Sequence, residues 1–355
     1  MQTALQMHAE VERLLLKAPF RISGYTFTEV PVALVTLRRG GARGRGEAAG
    51  VYYLNDTPER IVATLETHRE VIESGVDREA LRHTLPVGGA RNALDCALWE
   101  IDAQLAGKPV WQLAGLDSVT PRITTFTLSA DDPPAVARAA RALPEARALK
   151  LKLSGDLPAD SERIRAVRAA RRDVWLGVDA NQGYTIDGLE ALLPTCLNAQ
   201  VQLLEQPLPR GREADLDGFD SPIPIAADES VQGLSDVAGL VGRFDVVNIK
   251  LDKCGGLTEA LAIVNEARRL GLKVMVGNMV GTSLAMAPAF VIAQLCDYVD
   301  LDGPTFIAQD RSPGVTYAGG SVHCPDNVWG GPTPRDGGAI GAPPNAAHSE
   351  ISRRA

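Results

Sequence analysis

Between His83 and His323 the chain has no histidine, so no imidazole base and no histidine metal ligand is available across its centre. Glycine loops that cradle phosphate are missing too: no GxGxxG follows an apolar strand, and no GxxxxGKS/T occurs. No apolar run reaches the length of a bilayer span. Positive charge does not dominate. The net charge is −8, which gives no support to a nucleic-acid or anionic-membrane partner. The five cysteines, Cys96, Cys196, Cys254, Cys296 and Cys324, are odd in number and show no CxxC spacing. That suits reduced thiols better than a disulfide framework or a zinc site. The opening "MQTALQMHAEVERLLLK" has acidic residues and no signal-peptide core or cleavage site, so the expected location is cytoplasmic.

What is present is an ordinary globular composition, 45% hydrophobic and 23% charged over 355 residues, enough for more than one domain. Up to about residue 115 the texture is α+β. "VPVALVTLRRGGARGRGEAAG" reads as two strands around a Gly/Arg turn. "TPERIVATLETHREVIESG" reads as a helix with Thr57 as N-cap and Pro58 at its first position. "ARNALDCALWEIDAQLAG" reads as an amphipathic helix that stops at Gly107. From about residue 122, eight short apolar runs alternate with helical stretches. They are "ITTFTL", "RALKLKL", "VWLGVD", "VQLLEQP", "IPIAADES", "FDVVNIKLD", "KVMVGNM" and "YVDLDG". From the second run on, their ends fall 22 to 28 residues apart, the length of a βα unit. The expected fold is therefore α/β, a (β/α)8-type barrel, with room for one incomplete unit. Residues 331–355, rich in Gly, Pro and Ala, read as a loose tail.

Barrel chemistry gathers at the carboxyl ends of the strands. Here three consecutive runs end in Asp179, Glu205 and Asp228. Either aspartate alone would fit a helix N-cap. Three acids converging on one mouth repel one another unless a cation lies among them, and all-oxygen ligation suits Mg²⁺. In "RALKLKL", Lys150 and Lys152 stand two residues apart, on one face of a strand. Like charge and burial both lower a lysine pKa, which makes a base. Lys250 ends the sixth run, across the barrel from the second. A base on each face of a substrate is what a two-base proton transfer at carbon needs. The bland reading is that the paired lysines snorkel at a strand end.

As a set, the KxK of "LKLKL", the "DAN", "EQP" and "ADES" strand ends and "NIKLDKCGG" resemble the enolase superfamily, in its muconate-lactonising-enzyme-like subgroup. The resemblance covers residues from about 12 to 330. It makes residues 1–115 an α+β capping domain, 116–303 the modified TIM barrel and 304–330 a segment returning to the cap. "LPVGGARNALDCALWE" and "YVDLDGPTF" are most similar to dipeptide epimerases of the L-Ala-D/L-Glu type. What the resemblance implies is an isomerase with one Mg²⁺ held by Asp179, Glu205 and Asp228. It acts on the C-terminal residue of a dipeptide through a metal-stabilised enediolate. Lys152 and Lys250 are the two bases, Lys150 assists the metal, and Asn181 orients the shell around Asp179. Asp300 and Asp302 bind the α-ammonium group, although a solvated strand end is the plain alternative. Asn278 and Met279 join the substrate-contacting residues. The family is commonly oligomeric, so a homo-oligomer is expected.

One stretch departs from the pattern. Members that take acidic substrates carry arginine in a loop after the first capping strand. Here the matching positions are Gly24, Tyr25 and Phe27, and Arg21 falls too early. An apolar or aromatic second residue suits Tyr25, Phe27 and the "VYYLND" tyrosines Tyr52 and Tyr53 better than Glu does. The same aromatics would equally serve as packing between cap and barrel. Cycloisomerisation, o-succinylbenzoate synthesis and N-acylamino-acid racemisation remain alternatives within the subgroup. A non-catalytic barrel is the alternative outside it.

Overall fold

The computed structural model describes residues 4–22 and 25–332, without the side chains of residues 21, 22 and 25. The tail expected over 331–355 lies outside the described residues beyond residue 332. An antiparallel sheet opens the chain, with β1 (Gln6–Ile22), β2 (Tyr25–Arg39) and β3 (Ala42–Ala48) in that order. β2 and β3 are the two strands expected around the Gly/Arg turn. Four helices follow: α1 (Pro58–Thr67), α2 (Arg69–Glu73), α3 (Arg78–Thr84) and α4 (Gly89–Ala106). The Thr57 side chain caps α1 at Arg60 N, and His68 divides the single helix expected there from α2.

α4 ends at Gly107 in left-handed conformation, as read, but it is not amphipathic. Nearly all its residues are buried, because it is packed on two sides. On one side β3 lies against its backbone: a Cβ on Gly44 or Gly46 would sit 1.8 or 1.9 Å from the carbonyl oxygens of Ala97 or Ala93. On the other, Trp99 Nε1 donates to Thr258 Oγ1 of the barrel at 2.9 Å.

After α5 (Val110–Leu113) and the two-residue β4 (Arg122–Ile123), eight parallel strands form one sheet. They are β5 (Thr125–Leu128), β6 (Ala148–Lys152), β7 (Trp175–Asp179), β8 (Leu203–Glu205), β9 (Ile225–Ala227), β10 (Val246–Ile249), β11 (Lys273–Val276) and β12 (Tyr298–Val299). All eight apolar runs are therefore strands, buried as both-faced parallel strands are. The first and last strands meet through side chains: Thr124 Oγ1 accepts Leu301 N at 2.8 Å, and Thr125 Oγ1 donates to Asp300. The outer layer is α6 (Pro133–Arg141), α7 (Leu157–Ala170), α8 (Ile186–Asn198), α9 (Leu251–Cys254), α10 (Leu257–Arg269) and α11 (Ser283–Ala293). Only 3₁₀ turns follow β8, β9 and β12, so these units are abbreviated. Among the described residues no helix is long and apolar enough to cross a membrane.

β13 (Thr316–Ala318) and β14 (Ser321–His323) then pair with β4. The segment after β12 also runs back to the N-terminal sheet: Ala308 N donates to Leu15 O at 2.7 Å, and Trp329 Nε1 to Arg45 O at 3.0 Å. Glu47 on β3 is buried in a cross-link. It accepts from Thr282 N and Oγ1 at the start of α11 and from Arg311, which also holds Glu12 of β1.

Candidate active site

Strand register assembles the site. Lys152 pairs with Asp179, and Asp179 with Glu205, so the three stand side by side at the strand ends. Glu205 pairs with Ala226, which puts Asp228 two residues further along the adjacent strand. The carboxylates of Asp179, Glu205 and Asp228 are buried, with one oxygen from each within 4.8 Å of the others. Glu205 Oε1 accepts Asn248 Nδ2 at 2.9 Å, whereas its buried Oε2 has no hydrogen bond. Burial, then the Asp179 charge, pushes Glu205 up to about 8. Burial works the same way on Asp179 and Asp228, but neighbouring lysines outweigh it and hold both below the ordinary aspartate range. Three converging buried oxygens, one of them orphaned, fit a hard divalent cation.

The lysines expected in the site are all there. Lys152 Nζ lies 2.5 Å from Asp179 Oδ2, and Lys250 Nζ lies 2.6 Å from Asp228 Oδ2. Lys150 contacts Asp300 and lies 3.5 Å from Glu205 and 3.7 Å from Asp179. The expected lowering of lysine pKa is not what the surroundings produce. Burial does oppose the charge on Lys150 and Lys250, but the carboxylates they touch outweigh it and raise both. The sequence showed lysine beside lysine; the fold sets each against acids.

Several residues of the site were not foreseen. Lys253, buried, donates to Asp228 Oδ1 at 2.5 Å and to Asn248 O at 3.1 Å. Gln206 Oε1 accepts Asp228 N at 2.9 Å and Ser230 N at 3.1 Å. The buried Glu229 has an unpartnered Oε2. The signal for Lys253 was its place three residues after Lys250 on a short helix, one turn away. Asn181 sits against Asp179 through its backbone, N–H to Oδ1 at 2.9 Å, while its side chain turns to Glu229 at 3.4 Å.

A cavity of about 300 Å³ opens over this cluster. Asp300 and Asp302 line it. Asp300 is taken up by Lys150 and Thr125, whereas Asp302 accepts Thr127 N at 2.6 Å. Burial and the neighbouring Asp300 push Asp302 up to about 7. Asn278 and Met279 line the cavity from the loop after β11. Phe27 meets Tyr52 edge-on, ring centroids 5.5 Å apart, and Tyr53 stands 5.3 Å beyond. The side chains of Tyr25 and Arg21, and all of Gly24, lie outside the described residues. Among the described residues, the cationic side chains lining the cavity are Lys150, Lys152 and Lys250.

A capped parallel barrel with three carboxylates and three lysines buried together at its strand ends has the build of a barrel enzyme. The chain belongs to the mandelate racemase/muconate lactonizing enzyme family of the enolase superfamily: that family's N-terminal domain matches residues 6–115, and the enolase C-terminal domain-like model matches residues 135–330. The chain is 39% identical to the L-Ala-D/L-Glu epimerase of Escherichia coli strain K12 over 308 residues, 87% of this chain and 96% of that one. It is 42% identical to an N-acetyl-D-glutamate racemase of Pseudoalteromonas over 252 residues, 71% of this chain and 79% of the relative. Among solved structures, an enolase family member from Agrobacterium tumefaciens with homology to dipeptide epimerases superposes with a TM-score of 0.89 at 39% identity, covering 92% of this chain and 100% of that one. It holds sodium and L-Ala-L-Glu. A dipeptide epimerase of Enterococcus faecalis, complexed with Mg and L-Leu-L-Tyr, superposes with a TM-score of 0.83 at 27% identity, covering 91% and 99%. The Escherichia coli and Pseudoalteromonas relatives are an epimerase and a racemase, and the protein is an isomerase of their family.

Proposed function

We propose that the protein is a Mg²⁺-dependent dipeptide epimerase that inverts the C-terminal residue by two-base proton transfer, one lysine of Lys152 and Lys250 taking the α-proton and the other delivering a proton to the opposite face. The observation that carries this is the placement of those two lysines. They rise from β6 and β10 against different members of one carboxylate cluster, Asp179 and Asp228, in a single cavity. Asp179, Glu205 and Asp228 would hold the metal, which would supply a Lewis acid for the substrate carboxylate. Lys152 removes or returns the α-proton on one face and Lys250 on the other. Lys150 adds positive charge beside Glu205. Asp302, which accepts from Thr127 N at 2.6 Å, takes the substrate ammonium together with Asp300.

The preferred second residue is apolar or aromatic. Phe27 and Tyr52 make the wall, and the lining cations among the described residues are the three lysines already engaged with acids. A glutamate side chain there would find no further cation among the described residues. The test is α-proton exchange in D₂O with Mg²⁺ across a library of L-Xaa-L-Xaa dipeptides, read by mass spectrometry. Deuterium in the C-terminal residue, with apolar residues preferred, supports both readings. Preference for Glu keeps the enzyme class and removes the specificity. Phe27→Arg should shift the kcat/KM ratio for L-Ala-L-Glu over L-Ala-L-Phe upward by roughly 10- to 100-fold, since it adds a cationic partner to the wall.

The resemblance to an N-acetyl-D-glutamate racemase favours a second reading, N-acylamino-acid racemisation. Asp302→Asn separates the two. On dipeptides it should cut kcat/KM about 10- to 100-fold by removing a charged partner, and on N-acetylated amino acids it should change little. Fast wild-type turnover of N-acetylated substrates, unaffected by Asp302→Asn, would establish the second reading.

A further inference from the structure

Asp160 is a buried carboxylate that the chemistry above does not use. It lies on α7, behind the loop that follows Lys152. Ser154 donates to it from its N–H at 3.0 Å and its hydroxyl at 3.1 Å, Gly155 from its N–H at 2.9 Å and Arg163 Nη1 at 2.6 Å. The fifth donor is the Tyr184 hydroxyl, at 2.6 Å. Tyr184 belongs to a different loop, the one that follows Asp179 and Asn181.

We infer that Asp160 is a positioning residue for Lys152, clamping the loop after β6 to the loop after β7 so that the ammonium meets the substrate on one face only. Lys152 is the last residue of its strand, and its four-carbon stem is flexible. What holds the chain just beyond it is Leu153 N to Asp179 O at 2.8 Å, and then the Asp160 clamp. The two loops touch backbone to backbone: a Cβ on Gly155, at φ +85°, would lie 2.6 Å from Gly183 O. Arg163 balances the charge of Asp160, so the clamp can stay buried. Lys250 precedes α9 on the other side of the cluster, where its hydrogen-bond partner is Asp228. Loosening the clamp should therefore disturb Lys152 more than Lys250.

This inference rests on the two-lysine reading, and the experiment keeps the two apart. The readout is α-proton exchange without inversion in D₂O with Mg²⁺, measured separately from L-Ala-L-Phe and L-Ala-D-Phe. Lys152→Ala and Lys250→Ala first assign one lysine to each epimer. Asp160→Asn should then slow exchange from the Lys152 epimer about 10- to 100-fold and leave the Lys250 epimer within about twofold. Tyr184→Phe removes a single donor and should give the same asymmetry more weakly. It carries the test if Asp160→Asn does not fold. Equal losses from both epimers, or no loss, would overturn the positioning role. Lysine variants that fail to split the epimers would overturn the two-lysine reading, and the inference with it.

Discussion

Lys152→Ala and Lys250→Ala should each lower epimerisation by about 10²- to 10⁴-fold, the usual worth of a positioned acid–base group. Each should nevertheless keep solvent exchange on one epimer. Lys152→Ala exchanges the epimer whose α-proton faces Lys250, and Lys250→Ala the other. The reason is the division of the cluster: Lys152 touches Asp179 on the β7 side, and Lys250 touches Asp228 on the β9 side. Losing one lysine removes one proton path and leaves the opposite one in place. Lys150→Ala should behave differently. Lys150 contacts Asp300 and lies within 3.7 Å of both Asp179 and Glu205, so its charge serves either direction and both exchanges should fall together. The measurement is loss of the α-proton resonance in D₂O for each epimer alone, beside the optical rotation. Near-normal exchange of both epimers in Lys152→Ala would remove it as a base.

The barrel strands could be read from the chain because parallel strands buried on both faces appear as short apolar runs. At their ends, functional residues break each run in turn: Asp179, Glu205, Asp228 and Lys250. β1 was harder. Its outward positions His8 and Glu10 alternate with Met7 and Ala9, a period-2 pattern, but the register of its long antiparallel pairing with β2 shifts between Leu15 and Phe20, which that pattern does not announce. α4 misled for a related reason. Two contact faces, one against Gly44 and Gly46 and one against Thr258, bury a helix nearly all round, Arg91, Asp95 and Glu100 included, and the sequence names neither face. The lysine environments were illegible because the pairs Lys152–Asp179 and Lys250–Asp228 join residues 27 and 22 positions apart. Only strand register brings them together, and the carboxylates of the assembled site raise Lys150 and Lys250 where the paired lysines alone implied a lowering.

Glu205→Gln should abolish Mg²⁺ binding and activity while leaving the metal-free protein at least as stable as the parent near neutral pH. With Glu205 pushed up to about 8 and Asp179 and Asp228 held low, the metal-free triad keeps a proton on Glu205 at neutrality. Glutamine imitates that protonated form. The sign follows from linkage. A carboxyl whose folded pKa exceeds its unfolded value binds more protons when folded. The metal-free parent therefore loses stability as pH rises from the ordinary glutamate range through about 8. Glu205→Gln has no such slope at this position. Mg²⁺ binds the ionised triad, so in the parent its apparent affinity should rise about tenfold per pH unit below the Glu205 value, releasing close to one proton per ion near neutrality. Melting curves with and without Mg²⁺ between about pH 5 and 9, with proton release measured by calorimetry in two buffers, test every part. A Mg²⁺-dependent rise in Tm that persists in Glu205→Gln would place the ion elsewhere. Proton-free binding at neutral pH would mean that Lys150, 3.5 Å away, already keeps Glu205 ionised and yields to the incoming metal.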